Sequence, residues 1–223
     1  MKRTGVVALA LLAACASSRS SAPGPRALQG VIEAENARSW DSSEITSALE
    51  SNAPIKRAAA LRALARIEDP RSAQIVVKHA MDPDATVATW AVFALGQIGG
   101  ELAERALIDA ASGMSAVPDE AVLALGRGGR PEVIASVVGL LDHVRPVVRS
   151  RAAIALGLLV KKHGKAFVPV GAIPKLARMA RDPDRETRYG ATYALMRFAH
   201  PEAGLALVPT LADGDADLPE LPG

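Results

Sequence analysis

One five-residue stripe, Ala-x-x-Ala-Leu, returns along the chain at Ala60, Ala63 and Leu64; Ala91, Ala94 and Leu95; Ala121, Ala124 and Leu125; Ala152, Ala155 and Leu156; and Ala191, Ala194 and Leu195. Residues at these spacings share one side of an α-helix, so each stripe predicts a helix with a narrow face of small residues and one leucine. Small residues let a neighbouring helix approach closely, and the leucine fills the space between layers. Leu64 and Leu95 are 31 residues apart, and the later copies keep that period except the last, where Lys161-Lys162-His163-Gly164-Lys165 reads as an inserted loop.

Between stripes lie second amphipathic runs, at Ala73 to Met81, Leu102 to Ala111, Val133 to Leu141 and Ile173 to Ala180. Each repeat thus reads as helix, turn, helix. Proline beside an acidic residue marks the joints, as in Asp82-Pro83-Asp84, Pro118-Asp119-Glu120 and Asp182-Pro183-Asp184. Proline loses nothing at a first helical position, and the carboxylate suits the helix's positive end. Asp41-Ser42-Ser43-Glu44 opens the first hairpin in the manner of a capping box. Glycine follows the leucine at Gly96, Gly126 and Gly157, for closer packing or for helix termination. The third repeat is short, and its Gly126-Arg127-Gly128-Gly129-Arg130 is expected to be the softest joint. A hairpin of this kind cannot bury its own apolar face, so tandem copies must stack into one continuous core.

The run Val148-Arg149-Ser150-Arg151-Ala152-Ala153-Ile154-Ala155-Leu156-Gly157, with a second copy at Arg188-Tyr189-Gly190-Ala191-Thr192-Tyr193-Ala194-Leu195, resembles HEAT repeats. It is most similar to the bacterial HEAT-like or phycobilisome-lyase-type group, whose pattern is Asp-Pro-x-x-x-Val-Arg-x-x-Ala-Ala-x-Ala-Leu-Gly. The resemblance runs over about residues 39 to 211. It implies an all-α fold, an α-solenoid winding as a right-handed superhelix of about five to six helical hairpins. It also implies that Arg57, Arg149 and Arg188, at one repeat position, join aspartates in a ladder along the inner helices. Asp184, four residues before Arg188, is placed for that purpose, while Ala88 and Pro118 break the pattern in the second and third copies.

Composition sharpens this picture. The chain has 223 residues, 49% of them hydrophobic and only 3% aromatic, with 44 alanines, which favours closely spaced helices over sheets. Trp90, Phe93, Tyr189, Tyr193 and Phe198 all fall on second helices, the helices that line the concave face of HEAT-like arrays. They either fill the core between alanine layers or form an exposed aromatic-plus-arginine contact for a partner. Trp90, Arg149, Arg188 and Tyr189 are the candidate partner-binding residues.

The amino terminus carries an address. Met1-Lys2-Arg3 and the apolar run Val6 to Leu12 form an export signal too brief to anchor in a bilayer, ending at Leu12-Ala13-Ala14-Cys15. That ending resembles the lipobox of bacterial lipoproteins, which implies cleavage before Cys15 and lipidation of its sulfur. The expected organisation is a signal peptide over 1–14, a flexible tether over 15–25, a repeat domain over 26–211 and an acidic disordered tail over 212–223. Ala16 after the cysteine leans toward the periplasmic face of the outer membrane. Without Lys2 and Arg3 the formal charge falls from +2 to zero, which argues against nucleic acid as a partner. Cys15 is the only cysteine, so its acylation leaves no thiol for a disulfide, nucleophile or metal.

The sequence offers little chemistry. His79, His143, His163 and His200 lack a following Glu, the step found in HEAT-type di-iron hydroxylases, and lack the spacing of a helical zinc site; they read as surface histidines. Asp213, Asp215 and Asp217 open like a calcium loop, but Leu218 stands where glycine is required. No nucleophile elbow, phosphate loop or dinucleotide fingerprint is present. The expectation is a non-catalytic, lipid-anchored HEAT-repeat scaffold without cofactors, binding a protein or peptide of the bacterial cell envelope. The alternative is a non-catalytic HEAT module related to, or shortened from, an exported cyclophilin-type peptidyl-prolyl isomerase lipoprotein, which residues 26 to 41 resemble.

Overall fold

The computed structural model describes residues 28–212, and every regular element among them is helical. The signal segment over 1–14, Cys15, the tether over 15–25 and, Ala212 apart, the tail over 212–223 lie outside the described residues. A first helix α1 (Gln29–Asn36) precedes a series of hairpins, each joining a shorter helix to a longer one. These are α2 (Ser43–Leu49) with α3 (Pro54–Ile67), α4 (Ala73–Val76) with α5 (Ala85–Ile98), and α6 (Glu101–Asp109) with α7 (Pro118–Gly128). Next come α8 (Ile134–Gly139) with α9 (Pro146–His163) and α10 (Ile173–Met179) with α11 (Arg185–Phe198), before a last helix α12 (Pro201–Ala212). The chain is an all-α solenoid.

Local chemistry explains where the helices begin. The Ser42 hydroxyl accepts from the Ile45 amide at 3.3 Å, Asp84 from the amides of Thr86 and Val87 at 2.9 and 3.1 Å, and Asp184 from that of Thr187 at 2.8 Å. Pro54, Pro118 and Pro146 open α3, α7 and α9. The shorter helices are less regular. α4 is continued by 3-10 turns over 70–72 and 77–79, and α8 by turns over 131–133 and 140–142. Both carry β-branched clusters, Ile75-Val76-Val77 and Val133-Ile134, which lose side-chain freedom in an α-helix. The segment expected to be a loop at Lys161–Lys165 is helical through His163, so its first half lengthens α9.

The alanines and leucines of all five stripes are buried. Successive long helices α3, α5, α7, α9 and α11 pack side by side, while α4, α6, α8 and α10 touch one another little. The array therefore bends toward the long-helix layer, whose outward side becomes the inner surface. Glycine sets that close spacing: a Cβ at Gly126 would stand 2.7 Å from Cα of Ala155 on α9, and one at Gly157 would stand 2.8 Å from a ring carbon of Tyr193 on α11. Both glycines lie within their helices, so packing and not termination accounts for them. Among the described residues, no helix is long and apolar enough to cross a membrane.

The joint around Gly126–Arg130 corrects the expectation of softness. A Cβ at Gly128 would fall 2.0 Å from the carbonyl oxygen of Gly96, so α7 ends with its backbone against that of α5. From the other side, Lys162 of α9 donates to the carbonyls of Arg127, Gly128 and Gly129 at 3.1 to 3.4 Å, and His163 meets the Gly129 carbonyl at 2.9 Å. Glycine makes this stretch compliant only until neighbours fill it; here both neighbours do.

Candidate functional site

Arg57 on α3 grips Asp82, before α5, through two hydrogen bonds at 3.0 and 2.9 Å, and donates to the Ser51 carbonyl at 3.0 Å. Arg149 on α9 lies 3.8 Å from Asp182, before α11, and donates to the carbonyls of His143 and Val144 at 3.1 and 3.2 Å. Arg188 on α11 donates to the carbonyls of Asp182 and Pro183 at 3.1 and 2.9 Å. These arginines therefore stitch each helix start to its own turn and, at Arg57 and Arg149, to the next repeat. The ladder carboxylates are Asp82 and Asp182. Asp184, expected to serve Arg188, caps α11 by accepting from the Thr187 amide and hydroxyl at 2.8 and 2.7 Å; those bonds first, and the charges of Arg149 and Arg188 after them, hold its carboxyl below ordinary. Ala88 and Pro118 leave the ladder broken in the middle of the array, as their residue types require.

Three further titratable groups inside this framework are displaced from their usual range. Burial raises the Asp82 carboxyl, but hydrogen bonds from Arg57 and the Asp84 amide outweigh it and hold the group below ordinary. Glu104 on α6 is buried; burial raises it, and donation from the Arg130 side chain and amide at 2.7 to 3.1 Å brings it below ordinary. Burial pushes the His79 imidazole down against the opposing pull of Asp82 at 3.7 Å. None of the four histidines, expected on the surface, is fully exposed. His143 and His200 accept from the amides of Arg145 and Glu202 at 3.1 and 3.3 Å, the bond that Asp82 and Asp182 accept elsewhere. Among the described residues, no group of three His, Cys, Asp or Glu side chains converges in a way that could hold a metal ion.

What remains is the inner surface. The second variable position of each Ala-x-x-Ala-Leu stripe falls on this side, where Arg62 and Phe93 are exposed, Ile154 is half-buried and Leu123 and Tyr193 are buried, and the residue two after each leucine adds Arg66, Gln97, Arg127, Leu158 and Arg197. Phe93 is 38% exposed and meets the edge of the partly buried Trp90 at 5.7 Å between ring centres. It shares a shallow cleft between α5 and α7 with Gln97, Glu120 and Arg127. The Arg197 guanidinium lies 5.2 Å over the Tyr193 ring. Arg66 is paired with Glu35 at 2.5 Å, whereas Arg62, Arg127, Arg151 and Arg197 make no ion pair with a described residue. Of the residues singled out from sequence, Trp90 borders this surface, Tyr189 is 37% exposed on α11, and Arg149 and Arg188 belong to the ladder. The free arginines were missed, although their register inside the repeat motif was readable.

A family model described as HEAT repeats matches residues 42–114, from the entry to α2 to the turn after α6. No curated protein matches the chain. Among solved structures, the chain is similar to an engineered protein from the Northeast Structural Genomics Consortium, with TM-score 0.47 and 24% identity over 75% of this chain and 84% of that one. A second engineered protein from the same consortium gives TM-score 0.47 and 24% identity over 85% of this chain and 54% of that one. Human deoxyhypusine hydroxylase in complex with glycerol gives TM-score 0.40 and 20% identity over 78% and 80%. Hairpin order and family match together identify HEAT repeats over 42–114 within a longer helical solenoid.

Proposed function

We propose that this chain is a lipid-anchored HEAT-repeat scaffold of the bacterial cell envelope, held on the periplasmic face of the outer membrane through Cys15, which binds an envelope protein or peptide and performs no catalysis itself. The observation that carries the reading is the inner surface, where arginines without ion pairs and a half-exposed aromatic pair stand on rigid, closely packed helices. The lipobox-like Leu12-Ala13-Ala14-Cys15 supplies the address. Two measurements test it in cells. Metabolic labelling with an alkyne fatty acid should tag the protein, and Cys15→Ser should abolish the tag. A photo-crosslinking residue at Gln97 should capture one envelope protein reproducibly. Absence of acylation defeats the address, and absence of any crosslinked species defeats the scaffold role.

A further inference from the structure

Resting on that scaffold reading, we infer the chemistry of the partner: an extended acidic peptide segment that also carries apolar side chains, laid across α5, α7, α9 and α11. Arg127, Arg151 and Arg197 come from three successive long helices: Arg127 lines the cleft with Phe93, Arg151 precedes Ile154 by three residues on one face of α9, and Arg197 lies over Tyr193. None of these arginines has a carboxylate partner among the described residues. Arg57, Arg66, Arg71, Arg105, Arg130 and Arg149 each have one, while Arg38, Arg145, Arg178 and Arg181 have no ion pair with a described residue and stand outside the long-helix face.

Two details describe how these guanidinium groups are held. The Nε atoms of Arg151 and Arg197 are shielded from solvent and have no hydrogen-bond partner among the described residues. Those buried Nε atoms lie beyond a partner's reach, so a carboxylate or peptide carbonyl would be met by the terminal Nη groups through charge-assisted hydrogen bonds. Arg197 is also held over Tyr193, which fixes its plane and lowers the entropy lost on binding.

The apolar positions choose between classes of anion. Phe93, Ile154 and the half-buried Leu158 interrupt the positive charge at each helix, where a polyphosphate backbone would find no counterion. Glu120 sits in the cleft beside Phe93 and Arg127 and opposes a continuous phosphate track, whereas a peptide can place an amide or a hydroxyl there. Long helices pack about 10 Å apart, so the four span about 30 Å, which about ten residues of extended chain cover.

The test is a fluorescence-anisotropy titration of the full chain with three labelled peptides of about ten residues. One alternates Glu with Leu and Phe, one replaces each Glu by Gln, and one replaces each Glu by Lys. A single-stranded oligonucleotide of similar length is the fourth probe. The acidic peptide is expected to bind at least about tenfold more tightly than the Gln version and to weaken with added salt. The variant Arg127→Glu/Arg151→Glu/Arg197→Glu should lose that binding by at least about tenfold. The outer-layer variant Arg105→Glu/Arg178→Glu/Arg181→Glu, of equal net charge, should keep it, with thermal melts confirming that both variants fold. Equal affinity for the three peptides, tighter binding of the oligonucleotide, or equal losses in both variants overturns the inference. The scaffold reading would survive those outcomes, since it is decided by the crosslinking in cells.

Discussion

The joint between α3 and α5 and the joint at the centre of the solenoid are fastened differently, and the joint between α9 and α11 combines both devices, since a Cβ at Gly190 would fall 2.5 Å from the Ser150 carbonyl oxygen. Between α3 and α5, and again between α9 and α11, an arginine reaches forward to an aspartate of the next repeat. Around α7 the ladder residues are absent, and the layers meet through Gly128 against Gly96, through Lys162 on three carbonyls and through the Glu104–Arg130 pair. A side-chain ladder at a solvent-lined turn can lose a rung and leave the helices where they are. Backbone contact leaves no atom to remove, and any added atom must displace a helix. The lesson is that a gap in a repeat's signature is a different fastening, not a weaker one.

The largest expected effect comes from testing the backbone contact. Gly128→Ala should destabilise the fold by about 3 kcal/mol in a urea melt, because its new methyl overlaps the Gly96 carbonyl. Gly139→Ala, in α8 with nothing near its added Cβ, should be neutral or stabilising by up to about 1 kcal/mol. Equal behaviour of the two variants would remove the backbone contact as the fastening at the centre. A smaller effect should separate the two rungs from each other. Arg57→Gln, losing a bidentate bond at 2.9 to 3.0 Å, should cost about 1 kcal/mol, and Arg149→Gln, losing a partner at 3.8 Å, less than half of that. The smallest effect is a pH dependence that sharpens the comparison by position. His79 has its folded pKa depressed, so its contribution is complete above the unfolded value of about 6.5 and is lost as pH falls below it. Glu104 is depressed too, and its contribution is lost only as pH falls below about 4.3. Hydrogen exchange should therefore show the α3–α5 joint loosening first and the centre later, and His79→Gln should remove the first step. Simultaneous loosening would contradict the assignment.

The long helices were legible because their stripes repeat and because proline and aspartate punctuate them. Five alanine-leucine stripes became five buried helix faces. The short helices were legible only in outline, since Ile75-Val76-Val77 and Val133-Ile134 have an apolar pattern that fits a helix and a shape that resists one. Gly126–Arg130 misled because a local run of glycine signals freedom, while the groups that remove it, Gly96 and Lys162, lie about one repeat away in either direction. The ladder was placed on the correct arginines, but Asp82 and Asp182 as the carboxylates that Arg57 and Arg149 meet, and the capping role of Asp184, came only with the fold. The unpaired arginines of the inner surface escaped notice for a related reason: sequence shows where charges stand, and only the fold shows which of them have been neutralised.

The register of the motif has a further consequence. The two alanines and the leucine of each stripe are buried between the layers, while the second variable position is exposed at Arg62 and Phe93, half-buried at Ile154 and buried at Leu123 and Tyr193. Changes at Arg62, Phe93, Leu123 and Ile154 fall on separate helices, so their effects should add nearly independently. This face of the molecule can thus be altered like keys on a ring, one repeat at a time, with the alanine scaffold beneath left untouched.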